Sequence, residues 1–411
     1  MVLVGVLALQ ISAAGPEVGR IDLADRVKRL DMAWVSQRDS GRRAAAVSEI
    51  SGAVMAFFSG RQADACLALD RATATLNGRS VSGLDALIVR AEPRVVKPGQ
   101  PVKLSFGWAY PAPDASVRIL GKTYPMSSKM ATSVTLICES KEGTQQIQME
   151  ESGVRRPLSV QVVKDFGSRL AKLKASPKTS ALADALGQVA AGSYETEVPV
   201  ADWIAKGEKI LASGWKSVEE IPAVDHADVR FRVQIPRGVS NESPVVIALH
   251  GAGGSENMFF ESYGAGMAPK EAKKRGWIFM SPRSVNAAVP ACLSWLREEL
   301  GIKPRKVFVM GHSMGGGVAL GGGTASAKPD ALALFAPASG GVIPATYKET
   351  PIFLAVGKQE MPMLRTSASR LGTEIAKRQK SVFKEYEQCE HLMIVADASA
   401  DAFAFFDNVQ N

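Results

Sequence analysis

The run Val307-Phe308-Val309-Met310-Gly311-His312-Ser313-Met314-Gly315-Gly316 leaves this chain few folds to choose from. A short apolar stretch ends at a serine with a glycine two positions to either side, the pattern of a strand that turns sharply into a helix. Such a turn lifts the serine hydroxyl clear of the sheet only if neighbouring backbone passes close by, and Gly311 and Gly315, which lack a Cβ, permit that approach. The spacing predicts a nucleophile elbow at the carboxyl end of a buried strand. In a chain with 37 glycines the same five-residue pattern arises by chance as well, so a reactive serine must be argued from its partners.

Upstream, Val245-Val246-Ile247-Ala248-Leu249 is a continuous apolar run of strand length, followed by His250-Gly251-Ala252-Gly253-Gly254. That is the form of an oxyanion-hole loop. A tetrahedral intermediate needs two backbone N–H donors, one from the residue after the nucleophile, here Met314, and one from such a loop, here assigned to Ala252, with Gly251 turning the chain.

Four histidines reduce the general base to an elimination. His226 precedes the first strand of the region, His250 opens the oxyanion loop, and His312 sits inside the elbow, where its ring should point away from the serine. His391 remains, after the apolar run Ser381 to Tyr386 and before an amphipathic segment around Ala402 to Phe406, so the chain order serine, acid, histidine holds. For the acid, the run Ile352 to Val356 ends in Gly357-Lys358-Gln359-Glu360, where Gly-x-x-Asp is the usual form. Glu360 therefore takes the carboxylate position, and Glu385 and Glu387 stand as alternatives on the following strand.

Runs at Val229 to Ile235, Val245 to Leu249, Trp277 to Met280, Lys306 to Met310, Ala331 to Phe335, Ile352 to Val356 and Val382 to Tyr386 alternate with helical stretches such as Pro269 to Arg275 and Cys292 to Leu300. This predicts an α/β fold with a doubly wound, mostly parallel sheet buried on both faces. Its reactive groups would lie at carboxyl ends of strands. The triplet Gly321-Gly322-Gly323 falls in the helix expected after the elbow, where each glycine costs about 1 kcal/mol relative to alanine; close packing against the sheet is the one reason the sequence offers.

On these motifs, residues 225–411 resemble the α/β-hydrolase superfamily. The stretches Leu249 to Gly254, Gly311 to Gly317 and Glu390 to Phe406 are similar to the esterase family that includes feruloyl esterases and polyhydroxybutyrate depolymerases. The resemblance implies a serine hydrolase without cofactor or metal, acting on carboxylic esters. Glutamate in place of the usual aspartate is its main departure.

The remaining chain is long enough for further units: 411 residues, 46% hydrophobic. Residues 1–14 read as a secretory leader, with an apolar run from Val2 to Leu9 and small residues Ser12 and Ala14 before Gly15, but without a basic n-region. A buried N-terminal strand and a misplaced start are the alternatives; the leader would place the protein outside the cytoplasm or in the cell envelope. Residues 17–89 carry helical periodicity, including a hairpin over Phe57 to Asp70 faintly like a tetratricopeptide unit. Residues 90–165 change to short alternating strands punctuated by proline and glycine, which predicts a small immunoglobulin-like β-sandwich. Residues 166–224 read as a helical linker.

Cys66, Cys138, Cys292 and Cys389 lie far apart with no C-x-x-C spacing, which predicts buried thiols and no zinc site. The net charge of +8 is scattered. Its densest cluster, Lys270 to Arg275, is expected on a solvated helix face, with no aromatic-interleaved stripe for nucleic acid and no membrane-spanning segment. The expected partner is a small-molecule or polysaccharide ester. Two other readings remain open: a peptidase resembling prolyl oligopeptidases, which ordinarily carry a propeller, and a binding protein with a decayed hydrolase domain.

Overall fold

The computed structural model describes residues 6–12, 16–127 and 131–410. The chain forms two compact units, the first of residues 1–30 and 52–212, the second of residues 31–51 and 213–411.

The first unit holds helices α1 (Arg20–Ser36, which continues into the second unit), the end of α2 (Ser40–Phe58), α3 (Gln62–Leu76) and α4 (Gly83–Ala86). Two antiparallel-rich sheets follow. One has the order β1 (Val6–Ser12), β7 (Ala131–Ile137), β4 (Pro101–Trp108), β2 (Leu87–Glu92); the other has the order β3 (Val95–Val96), β9 (Val154–Val162), β8 (Gly143–Glu151), β5 (Ala115–Ile119), β6 (Lys122–Met126). Period-two burial, as in Pro101–Trp108, turns Leu104, Val134 and Leu136 of one sheet and Val117, Met149 and Val160 of the other into one shared core, the arrangement of a sandwich. Helices α5 (Phe166–Lys174), α6 (Ser180–Ala191) and α7 (Val200–Ser213) complete the unit. A buried ion network ties α1 to α3: Arg26 Nε donates to Asp70 Oδ2 at 2.7 Å, and Tyr110 Oη donates to the same oxygen at 2.9 Å.

The second unit is built on an eight-stranded sheet in the order β10 (Glu220–His226), β11 (Val229–Gln234), β13 (Ile278–Pro282), β12 (Val245–Leu249), β14 (Val307–His312), β15 (Ala331–Phe335), β16 (Ile352–Gly357), β17 (Val382–Tyr386). β11 runs antiparallel to both neighbours, and the pairs from β13 to β17 are parallel. Every residue of β12, β13, β15 and β16 is buried, as a sheet covered on both faces requires. The edge strand β17 is different: Val382, Lys384 and Glu385 are exposed, and such charges blunt an otherwise open edge. This order, with a reversed second strand, is the α/β-hydrolase fold. Helices α8 (Met258–Glu261), α9 (Tyr263–Lys274), α10 (Ala288–Leu300), α11 (Met314–Ala319), α12 (Gly322–Ala325), α13 (Pro362–Ala376) and α14 (Ile394–Gln410) connect and cover the strands. Phe406 of α14 stacks on Phe308 of β14 with ring centroids 4.5 Å apart, and Phe403 stacks on Trp277 at 6.0 Å.

Several sequence expectations are corrected. The sheet begins at Glu220, inside the segment read as linker, and His226 ends β10 instead of preceding the first strand. Residues 31–51 of the expected helical region belong with the second unit, where Trp34 Nε1 donates to Asp397 at 3.0 Å and the Arg43 guanidinium lies 4.6 Å from the Trp34 ring. The glycine triplet does not pack against the sheet: the helix breaks at Gly321, and a Cβ at Gly322 or Gly323 would meet nothing within 4 Å. Within the span read as a leader, Val6–Ser12 is a strand antiparallel to β7, and residues 1–5 and 13–15 lie outside the described residues. All four cysteines are free and buried. No helix among the described residues is long and apolar enough to cross a membrane.

Truncation of a fully buried phenylalanine costs about 3–5 kcal/mol. Phe406→Ala should therefore lower the calorimetric transition of the second unit by roughly 6–20 °C.

Candidate active site

The elbow is built as its glycines require. Ser313 sits at φ 51° and ψ −116°, a strained conformation for a residue with a side chain, between the last residue of β14 and the first of α11. Three backbone hydrogen bonds hold it there. Its N–H donates to the Phe335 carbonyl at 3.0 Å, and its carbonyl accepts from Ala338 at 2.8 Å and Gly317 at 3.1 Å. A Cβ at Gly315 would come within 2.1 Å of the Leu249 carbonyl oxygen, so α11 can cross β12 only with glycine at this point. A Cβ at Gly311 would in turn meet the Gly315 carbonyl at 2.5 Å.

From this turn Ser313 Oγ reaches His391 Nε2 at 2.9 Å, and His391 Nδ1 lies 3.0 Å from Glu360 Oε2. The serine hydroxyl can donate to one ring nitrogen while the other donates to the carboxylate. Glu360 is inaccessible to solvent, and its second oxygen accepts the Met361 N–H at 2.8 Å. Its loop is set back against the histidine loop, with Gln359 donating to the Cys389 carbonyl at 3.0 Å, and Pro362 opens α13 directly after it. Glu385 and Glu387 are not brought to the site: Glu385 is exposed on β17, and Glu387 is exposed and paired with Lys358.

The remaining histidines have other partners. His226 Nε2 meets Ser294 at 3.0 Å, and His250 packs its two ring nitrogens against the carbonyls of Gly251 and Arg283, each at 2.8 Å. His312 does turn away from the serine hydroxyl, but into a buried network: Nδ1 is 2.6 Å from Tyr263 Oη, and Nε2 is 2.8 Å from the carbonyl oxygen of His391. Burial, reinforced by the facing His391 ring, holds His312 well below the ordinary histidine range, so it is neutral at physiological pH.

Ala252 and Met314 occupy exposed positions at the carboxyl ends of β12 and β14. Among the described residues neither amide has a hydrogen-bond acceptor. Gly251 directs the loop: its carbonyl accepts from Gly254 at 3.1 Å, and a Cβ would approach His312 Nδ1 to 2.8 Å.

Sequence reasoning missed Tyr263, Asp31 and Glu390. The carboxylate of Glu390 is buried beside the histidine it precedes and accepts the N–H groups of Leu392 at 2.7 Å and Met393 at 2.9 Å, which fixes the loop entering α14. An acid just ahead of a helix start is a visible signal, although the helix boundary has to be known first.

No family model and no curated protein matches this sequence. Among solved structures, a dienelactone hydrolase from Anabaena variabilis is 16% identical over 45% of this chain and 95% of its own, with a TM-score of 0.37. Est1E from Butyrivibrio proteoclasticus is 11% identical over 46% of this chain and 98% of its own, at 0.36. An esterase from Pyrobaculum calidifontis is 15% identical over 46% and 83%, at 0.34. Likeness at this level adds nothing to the fold read from the strand order.

Burial pushes the Glu390 carboxyl up to about 7, against the two amides that lower it. The native state then keeps a proton that the unfolded chain has released, so between about pH 4.5 and 7 the stability supplied by this group is lost as pH rises, by up to about 3 kcal/mol. Glu390→Gln, which cannot ionise, should compare progressively better with the wild-type protein as the pH is raised from 5 to 8, read as unfolding free energy in urea. A difference that does not change with pH would show that Glu390 does not titrate there.

Proposed function

We propose that the protein is a serine hydrolase that cleaves carboxylic esters through an acyl-enzyme. The observation that carries this reading is the unbroken hydrogen-bonded chain from Ser313 through His391 to the solvent-inaccessible Glu360. Ser313 Oγ attacks the ester carbonyl as His391 Nε2 takes its proton; the tetrahedral oxyanion is received by the Ala252 and Met314 amides. Collapse expels the alcohol, which takes the proton back from His391. Water then repeats the sequence, frees the acid and restores the serine. Glu360 keeps the proton on Nδ1 and stabilises the imidazolium in both halves.

The preferred substrates are soluble short-chain or carbohydrate-linked esters. A folded lid inserted between β15 and β16 would restrict the cleft, and the segment from Ala336 to Pro351 contains a single 3₁₀ turn, Ala345–Tyr347. Exposed apolar side chains follow three consecutive strands at this end of the sheet: Met314 at the start of α11, Val342 in the loop after β15 and Met363 at the start of α13. They suit an apolar acyl group held at an open surface. The rate should therefore show no jump when emulsified long-chain triglyceride is supplied.

A fluorophosphonate probe should label the wild-type protein, and Ser313→Ala should abolish labelling and lower kcat by several orders of magnitude with the fold intact. Glu360→Gln should lower kcat by about 10²–10⁴-fold with little change in KM, with Glu387→Gln near wild type. A panel of acyl esters and peptide amides separates the readings: faster turnover of prolyl amides would favour the peptidase, and an unlabelled protein the decayed binding domain.

A further inference from the structure

The polar network behind the elbow has a direction fixed at every link. A carbonyl oxygen only accepts, so the His312 nitrogen facing the His391 carbonyl, Nε2, carries the hydrogen. The neutral ring then leaves Nδ1 as an acceptor, which must receive the Tyr263 hydroxyl proton. The Tyr263 oxygen in turn accepts the Gly251 N–H at 3.2 Å. One phenol thus joins two parts of the site from behind: the backbone of His391, through His312, and the turn that presents Ala252.

Tyr263 itself has an improbable backbone. Tyr263, Gly264, Ala265 and Gly266 have φ of 47°, 76°, 55° and 72°, four successive left-handed residues, two of them with side chains. Such a run persists only where its surroundings hold it. The holding group is Asp31, fully buried on α1, which accepts the Gly264 N–H at 2.9 Å. Burial pushes this carboxyl up to about 7; its oxygen facing Gly264 accepts in either protonation state, so the contact survives across neutral pH. The helix that carries Asp31 is anchored a turn later, where Trp34 Nε1 bonds Asp397 near the start of α14.

We propose that Tyr263 and Asp31 are positioning residues of the acyl-transfer site, Tyr263 setting the backbone of His391 through His312 and the oxyanion loop through Gly251, and Asp31 holding Tyr263 in its left-handed turn. This inference rests on the serine-hydrolase reading. It assigns residues 31–51, remote in sequence, a part in the alignment of the reacting groups. A misplacement near 1 Å at such a site costs up to about 10²-fold in rate without weakening substrate binding in proportion.

The test uses the full chain and a soluble acyl ester. Tyr263→Phe keeps the ring that packs edge-on against Phe259 and His312 and removes only the hydroxyl. It should lower kcat by about 10–100-fold with KM within about twofold, and slow fluorophosphonate labelling at saturating probe in parallel. Asp31→Ala should do the same, and Asp31→Asn, whose amide oxygen can still accept from Gly264, should restore most of that loss. Should Asp31→Ala fail to fold, Tyr263→Phe and Asp31→Asn decide the matter. A Tyr263→Phe protein with wild-type kcat overturns the inference, as does a fall in kcat matched by an equal rise in KM. Failure of the hydrolase reading looks different, because the wild-type protein would then not be labelled and Ser313→Ala would change nothing.

Discussion

The crossing of α11 over β12 at Gly315 is the contact on which the site depends. Backbone meets backbone there with no space for a methyl group, and this closeness lets the chain reverse within one residue at Ser313. The strain at that residue is offset by bonds on both sides: β15 takes its N–H, and its own carbonyl receives two amides. Loosening the crossing would relax the serine into an ordinary turn and carry its hydroxyl away from His391. The geometry of the Ser313 hydroxyl is in this sense set by Gly315 and Leu249, which contribute no functional group at all.

The same economy explains how a glutamate reaches the imidazole where the resemblance implies the shorter aspartate. The loop after β16 is pressed against the loop that carries His391, so closely that a Cβ on Gly357 would lie 2.1 Å from the Cys389 carbonyl. Gln359 bonds that carbonyl, and Glu360 folds back to accept the Met361 amide with one oxygen while the other faces the imidazole. The extra methylene is taken up by the local turn, and the histidine need not move. A buried carboxylate with both oxygens engaged keeps its orientation, and orientation is what the imidazole needs from it.

Motifs confined to a few consecutive residues were legible in the sequence: the elbow, the glycine loop, the terminal histidine and the fully apolar strands, each of which states its own local geometry. The pairing of Ser313, His391 and Glu360 followed from chain order and from the small number of histidines. What escaped was non-local. Asp31 precedes Tyr263 by more than half the length of the chain, and nothing in the helical periodicity around Val27, Leu30 and Trp34 marks one acid among several as buried. The left-handed turn at Tyr263–Gly266 lies outside the helical stretch expected from Pro269 to Arg275. The glycine triplet after the elbow misled in the opposite way, since a local cost suggested a packing purpose and the structure shows a helix break beside open space. β10 was hidden by its place beside a polar, alanine-rich segment, although all four residues from Ile221 to Val224 are buried.

Two imidazoles stand side by side at the centre of the site, His312 and His391, with ring centroids 4.8 Å apart. In the proposed cycle His391 becomes positively charged twice, and a second positive ring at that distance would oppose each charging step; at an effective dielectric near 20 the repulsion is of order 3 kcal/mol. In that proposed cycle the neutrality of His312 favours each charging of His391. It is secured by deep burial and by the complementary pair of acceptor and donor that surrounds the ring, the His391 carbonyl taking its one hydrogen and the Tyr263 hydroxyl filling its one lone pair. A protonated His312 would have to turn an N–H toward a hydroxyl whose hydrogen already points at it, and that hydroxyl would have to abandon the bond. The elbow histidine thus gives the proposed base a fixed and uncharged neighbour, which a solvent-facing residue at this position would not supply.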